Sequence, residues 1–162
     1  MTSGIGWLML GALLGSLLMT GLMSAGRFLG LSRMSLPFVL GTMFTPNRDR
    51  AVPLGLAMHI GSAMVVSLLY FAVFRLMGGA PWWMGGLLGL GHGVATYLLF
   101  LPSLPGLHPR MASERDGPEP TRVLEPPGPL GLNYGKRTPL IGILAHVVFG
   151  VVVAVFCGQG MK

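Results

Sequence analysis

Pro139-Leu-Ile-Gly142-Ile-Leu-Ala-His146-Val-Val-Phe-Gly150-Val-Val-Val-Ala-Val-Phe-Cys157 runs through nineteen positions with no charged side chain and a single imidazole. A helix rises about 1.5 Å per residue, so this length crosses a hydrocarbon core about 30 Å thick. Three further stretches, at about 5–26, 52–76 and 82–104, also lack Asp and Glu and are as long as the one at about 139–158. The fold expected is therefore all-α and integral to a membrane, with four transmembrane helices in one domain and a Pro-rich loop over 105–138. Composition agrees: 52% of residues are apolar, 10% are charged and the mean hydropathy is +0.69. A soluble domain carries about 25% charged residues. The 26 glycines would weaken soluble helices but suit spanning helices that pack closely.

The first apolar stretch has no Lys or Arg before Arg27 and is longer than the roughly 7 to 15 residues of a signal-peptide core, so it is expected to remain in the protein. Cys157 is the only cysteine, which excludes an internal disulfide. Arg27, Arg33, Arg48 and Arg50 lie between helices 1 and 2, and Arg110, Arg115, Arg122, Lys136 and Arg137 between helices 3 and 4. Only Arg75 and Lys162 stand opposite. The positive-inside rule then places both long loops in the cytoplasm and both termini outside, in a bacterial inner membrane. Trp7, Trp82 and Trp83 fall at the outer boundary, where an indole buries its ring and keeps its N–H wet. The net charge of +6 reads as a topology signal and as contact with anionic head groups, and nucleic acid is not an expected partner.

Between helices 1 and 2, Ser35-Leu-Pro-Phe-Val-Leu-Gly-Thr-Met-Phe44 is apolar but too short to span, which fits a short interfacial or partly re-entrant helix. Pro118 to Pro129 is rich in proline and charge and is expected to be extended and mobile. Pro53 and Pro139 are expected in the first turns of helices 2 and 4, with Thr138 capping the latter. All five acidic residues, Asp49, Glu114, Asp116, Glu119 and Glu125, lie in the loops. No intramembrane carboxylate is left to act as acid, base or proton carrier, so no catalytic residue is assigned and the balance is against an enzyme.

Helices 2 and 4 align without a gap. Gly55, His59, Ala63 and Ser67 repeat at every fourth position in one, as do Gly142, His146, Gly150 and Ala154 in the other. Each helix thus carries a small-residue packing stripe with a histidine in it. Gly11-Ala-Leu-Leu-Gly15 pairs more weakly with Gly85-Gly-Leu-Leu-Gly89, and Gly93 extends the stripe of helix 3. Two such helix pairs predict a parallel repeat, 1–2 and 3–4, with His59 and His146 at similar depth, roughly 10 Å in, and His92 deeper. These stripes, with His108-Pro109 after the third helix, resemble a family of four-helix bacterial inner-membrane proteins whose shared domain has no assigned function. The resemblance implies fold and location and carries over no catalytic residue.

The histidines admit two principal accounts beside a polar pathway for protons or a small solute, which has no acidic partners. In the preferred one, His59 and His146 are packed and hydrogen-bonded to a backbone carbonyl or to Ser16, Thr20 or Ser24, and no cofactor is needed. In the other, His59 and His146, with His92, hold a haem or a transition metal, since neutral imidazole is a good ligand and paired glycines leave room for a flat ring. The 12 methionines are read as apolar filler. Gly131-Leu-Asn-Tyr-Gly-Lys-Arg-Thr138 is one residue short of a phosphate loop and reads as a helix start. The expected function is structural or accessory, as a complex subunit or small homo-oligomer. A haem- or metal-binding redox protein is the alternative, and a small-solute or proton transporter a second one.

Overall fold

The computed structural model describes residues 4–113, 121–122 and 124–161. The whole acidic, proline-rich segment from Glu114 to Pro120, with Val123 and Lys162, falls outside them. The helices are α1 (Gly4–Phe28), α2 (Leu36–Thr42), α3 (Arg48–Leu76), α4 (Trp82–Ala95), α5 (Leu101–Leu107) and α6 (Thr138–Gly160). A π turn over Thr96–Phe100 joins α4 to α5. Among the described residues, four helices are long and apolar enough to cross a membrane, with α4 to α5 counting as one span over Trp82–Leu107. Large apolar side chains cover their outer faces, among them Val65, Leu69, Leu87, Leu99 and Leu140. Such an exterior is favourable in hydrocarbon and unfavourable in water.

The glycine stripe of α4 is occupied by α6. A side chain on Gly85 would run into the carbonyl of Gly150, and one on Gly89 into that of His146. Gly93 lies against the His146 side chain. Helix α1 packs on the neighbouring face of α6, with Gly11 against Phe156, Gly15 against Phe149 and Gly26 against Ile141. The other stripe is used differently. Gly55 of α3 meets Pro37 of the short helix α2, and Gly41 of α2 meets Ala51, so α2 folds back along the start of α3. Gly142 takes the phenol of Tyr97 rather than a helix backbone.

Two helix starts differ from expectation. Asn47 caps α3, its side chain accepting the N–H groups of Asp49 and Arg50 at 3.0 Å, so the helix begins a turn early and Pro53 lies inside it. His59 is consequently eleven residues into α3, whereas His146 is eight into α6. At α6 the cap position is Arg137, and Thr138 instead bonds Ser32 at 2.8 Å through its hydroxyl. An ordinary Asx cap outcompetes the proline signal in the first case, and a tertiary partner takes the hydroxyl in the second.

The described part of the Pro-rich loop is folded against the bundle. Leu124 forms a parallel bridge with Met111, Pro127 is fully buried, and Pro129–Tyr134 coils in short 3-10 turns broken by a kink at Leu130 and Gly131, both at positive φ. The loops on this charged end are sewn together, with Arg33 N–H donating to the Tyr134 carbonyl at 2.6 Å and its guanidinium meeting Glu125 at 3.2 Å. That ion pair is exposed and contributes little.

His108 anchors α2 to the end of α5. Its Nε2–H donates to the Val39 carbonyl at 2.9 Å, its Nδ1 accepts the Arg110 N–H at 3.1 Å, and Arg110 Nη1 donates to the Thr42 carbonyl at 2.6 Å. Burial foremost, together with the Arg110 charge, holds His108 below its ordinary 6.5, although the bond to Val39 pulls the other way.

Replacing Gly85 by Leu is expected to destabilise the detergent-solubilised protein by about 1–3 kcal/mol or more, since two backbones would have to part. Gly91→Leu, which meets open space, should change little. Equal melting temperatures for the two variants would contradict the α4–α6 crossing. A histidine held below its unfolded pKa gives stability that is complete above about pH 6.5 and declines as pH falls through that value toward the folded pKa. Wild type should therefore lose more stability between about pH 7.5 and 5 than His108→Gln, whose amide keeps the Val39 bond without titrating. Parallel curves would show that His108 does not titrate against folding.

Candidate functional site

Helix α3 takes its close neighbours from α1 and α2, while α4 packs on α6. The backbones of α3 and α4 stay apart, and a cavity of about 610 Å³ lies between them. His59, His92 and His146 all line it. So do Met19 and Met23 of α1, Met34 before α2 and Met58 of α3. The wall is overwhelmingly apolar, with Ser62, Thr96, Tyr97 and Ser103 as its hydroxyl-bearing residues. Ser62, Ala95, Leu99, Phe100 and Ser103 belong both to this wall and to the exterior, so the cavity opens sideways between α3 and α4.

Each histidine is oriented by a specific partner. Thr20 donates its only hydroxyl proton to the Ser16 carbonyl at 2.8 Å, so its oxygen is left to accept from His59 Nδ1 at 3.0 Å. His146 Nδ1 lies 2.7 Å from the Gly142 carbonyl and must donate as well, because a carbonyl only accepts. In both neutral rings Nε2 then carries a lone pair. That of His146 is 3.5 Å from the Thr96 hydroxyl, whereas His59 Nε2 has no hydrogen-bond partner among the described residues. None of their fully enclosed side-chain nitrogens or oxygens is left unpaired, so His59 Nε2 faces open space, and the cavity supplies it.

His92 stands edge-on to His146, ring centres 4.7 Å apart at 82°. Its Nδ1 is 3.4 Å from the hydroxyl of Tyr70, which is 5% exposed. A buried phenol proton needs an acceptor, so Tyr70 donates and His92 Nε2 bears the hydrogen. Tyr70 packs edge-on against Phe149, ring centres 5.9 Å apart, and Phe149 lines the cavity. The π turn aims Tyr97 across α6, where its ring fills the socket at Gly142 and its hydroxyl meets Met34 Sδ at 3.9 Å.

The packing partners expected for His59 and His146, Thr20 or a backbone carbonyl, are thus the ones present. The glycines leave no slot for a flat ring, since Gly85, Gly89, Gly93 and Gly150 are filled by helix contacts and Gly142 by Tyr97. Ala63 is buried and lines the cavity. Among the described residues, no three His, Cys, Asp or Glu side chains are placed to hold one metal ion. Sequence reasoning missed Tyr70, Thr96, Tyr97 and Met34. Thr96 stood four residues after His92 and was open to notice, whereas the turn that aims Tyr97 has no clear sequence mark. No family model, no curated protein and no solved structure matches the chain.

Thr20→Val should free His59 Nδ1. Nitrogen NMR of labelled histidine is expected to show the Nδ1–H form at His59 in wild type and a mixture in the variant, with about 1 kcal/mol of stability lost. Finding the Nε2–H form at His59 in wild type would refute the assignment.

Proposed function

We propose that this chain is an accessory protein of a bacterial inner membrane that receives a lipid-dissolved apolar molecule in the groove between α3 and α4. The observation that carries the proposal is the cavity itself. Its volume, about 610 Å³, is within the range of small-molecule sites, its wall is apolar with a few polar groups, and it opens sideways where a bilayer would lie. Arg27, Arg33, Arg48, Arg50, Lys136 and Arg137 cluster at the end where the loops are sewn together, which supports placing that end in the cytoplasm. The parallel repeat gains support from His59 beside Thr20 of α1 and His146 beside Thr96, each a threonine on the first helix of its pair. The resemblance to four-helix inner-membrane proteins fits the same location. A polar solute pathway draws little support from so apolar a wall.

A second reading, a haem or metal held by His59 and His146, is favoured by one detail. Each Nδ1–H is already engaged, the way metal-bound imidazoles are commonly held.

Native mass spectrometry of the detergent-purified protein with para-octylanisole tests the first reading. One molecule should bind per chain, and Ala95→Trp, which obstructs the opening, should weaken binding about tenfold or more, that is by about 1.4 kcal/mol. Unchanged binding in the variant would remove the groove as the site. An absorption spectrum with metal analysis tests the second. A Soret band, or one equivalent of metal lost in His59→Phe, would decide in its favour.

A further inference from the structure

The polar groups of the cavity specify more than an apolar occupant. His59 is 7% exposed, and its Nδ1–H is committed to Thr20. Its Nε2 lone pair is an imidazole acceptor for which the described residues provide no donor, since the Ser62 and Ser103 hydroxyls of the wall each donate to a backbone carbonyl three residues back. His146 presents the same atom but has the Thr96 hydroxyl nearby, and His92 presents an Nε2–H. Resting on the groove as a binding site, we infer that its ligand is a lipid-soluble alcohol or phenol whose hydroxyl donates a hydrogen bond to His59 Nε2.

The chemistry selects this class in three steps. A ligand carbonyl or ether would turn its own lone pairs toward that of His59, leaving both desolvated and unpaired. A cation would be held in an apolar cavity lined by no carboxylate. A hydroxyl is a donor and an acceptor at once, so it satisfies His59 and keeps lone pairs for another donor. A metal is less well served, because no three His, Cys, Asp or Glu side chains converge among the described residues. The apolar body of such a molecule would lie along Met19, Met58 and Val66, soft or branched surfaces that adapt to a range of shapes.

The test compares para-octylphenol with para-octylanisole, which differ by methylation of the hydroxyl, on the full chain in detergent. The phenol should bind about tenfold tighter, the value of one well-made buried hydrogen bond. His59→Phe should abolish that preference, so that the two probes bind the variant with equal affinity. In wild type, the phenol but not the anisole should shift the nitrogen NMR signal of His59 Nε2 toward its hydrogen-bonded position, a readout that needs no variant to fold. Equal affinities in wild type, a preference that survives in His59→Phe, or an unmoved Nε2 signal would each overturn the hydroxyl assignment while leaving the groove as an apolar site. Failure of both probes to bind would overturn the groove reading as well.

Discussion

The backbone crossing of α4 and α6 at Gly85, Gly89 and Gly150 is the constraint on which the site depends. Glycine lets two helices approach until carbonyls meet Cα positions, and dispersion over such a surface supplies the cohesion that the hydrophobic effect gives in water. The stripe of α4 is used up on this one partner. The face of α4 turned toward α3 has no second stripe, so α3 stands off and packs instead on α1 and on α2. The cavity is the volume left between a tight pair and a looser one. His92 and His146 meet in a T-shaped contact where Gly93 makes room for the His146 side chain.

Much of this architecture was legible. Four apolar lengths gave four helices, because neither the hydrocarbon thickness nor the helix rise leaves much choice. The stripes through Gly55 and Gly142 marked buried faces correctly, since a small residue at every fourth position has few other uses. What the stripes could not reveal was the partner. A glycine accepts a helix backbone, a short reverse helix or a tyrosine ring equally well, and Gly85, Gly55 and Gly142 show one of each. Thr138 and Pro53 misled for a related reason, since local propensity is weak against an Asn47 cap or a Ser32 hydroxyl in reach.

The π turn at Thr96–Phe100 was the least legible element and matters most to the cavity after the glycine crossing. Pro102 has no N–H to return to the preceding turn, and Pro105 removes another, so the helix is poorly held at this point. Widening by one residue absorbs the defect and rotates the helix beyond it. Tyr97 is thereby carried into the Gly142 socket, and Leu99 and Phe100 are left at the opening. Proline placed beyond the histidine thus sets the rim of the groove without touching its floor.

His59 and His146 look equivalent in sequence, each in a stripe of small residues, yet their bonds differ in kind. His146 bonds the carbonyl of its own helix, four residues back, so its orientation persists wherever α6 goes. His59 is oriented by Thr20, on another helix, and keeps its orientation only while α1 and α3 stay in register. The placement of His59 thus depends on two helices, and that of His146 on one. A ligand that bonds His59 Nε2 also favours the Nδ1–H form, since the two nitrogens share one proton. The proposed hydroxyl bond at Nε2 and the bond from Nδ1–H to Thr20 therefore call for the same tautomer of one ring.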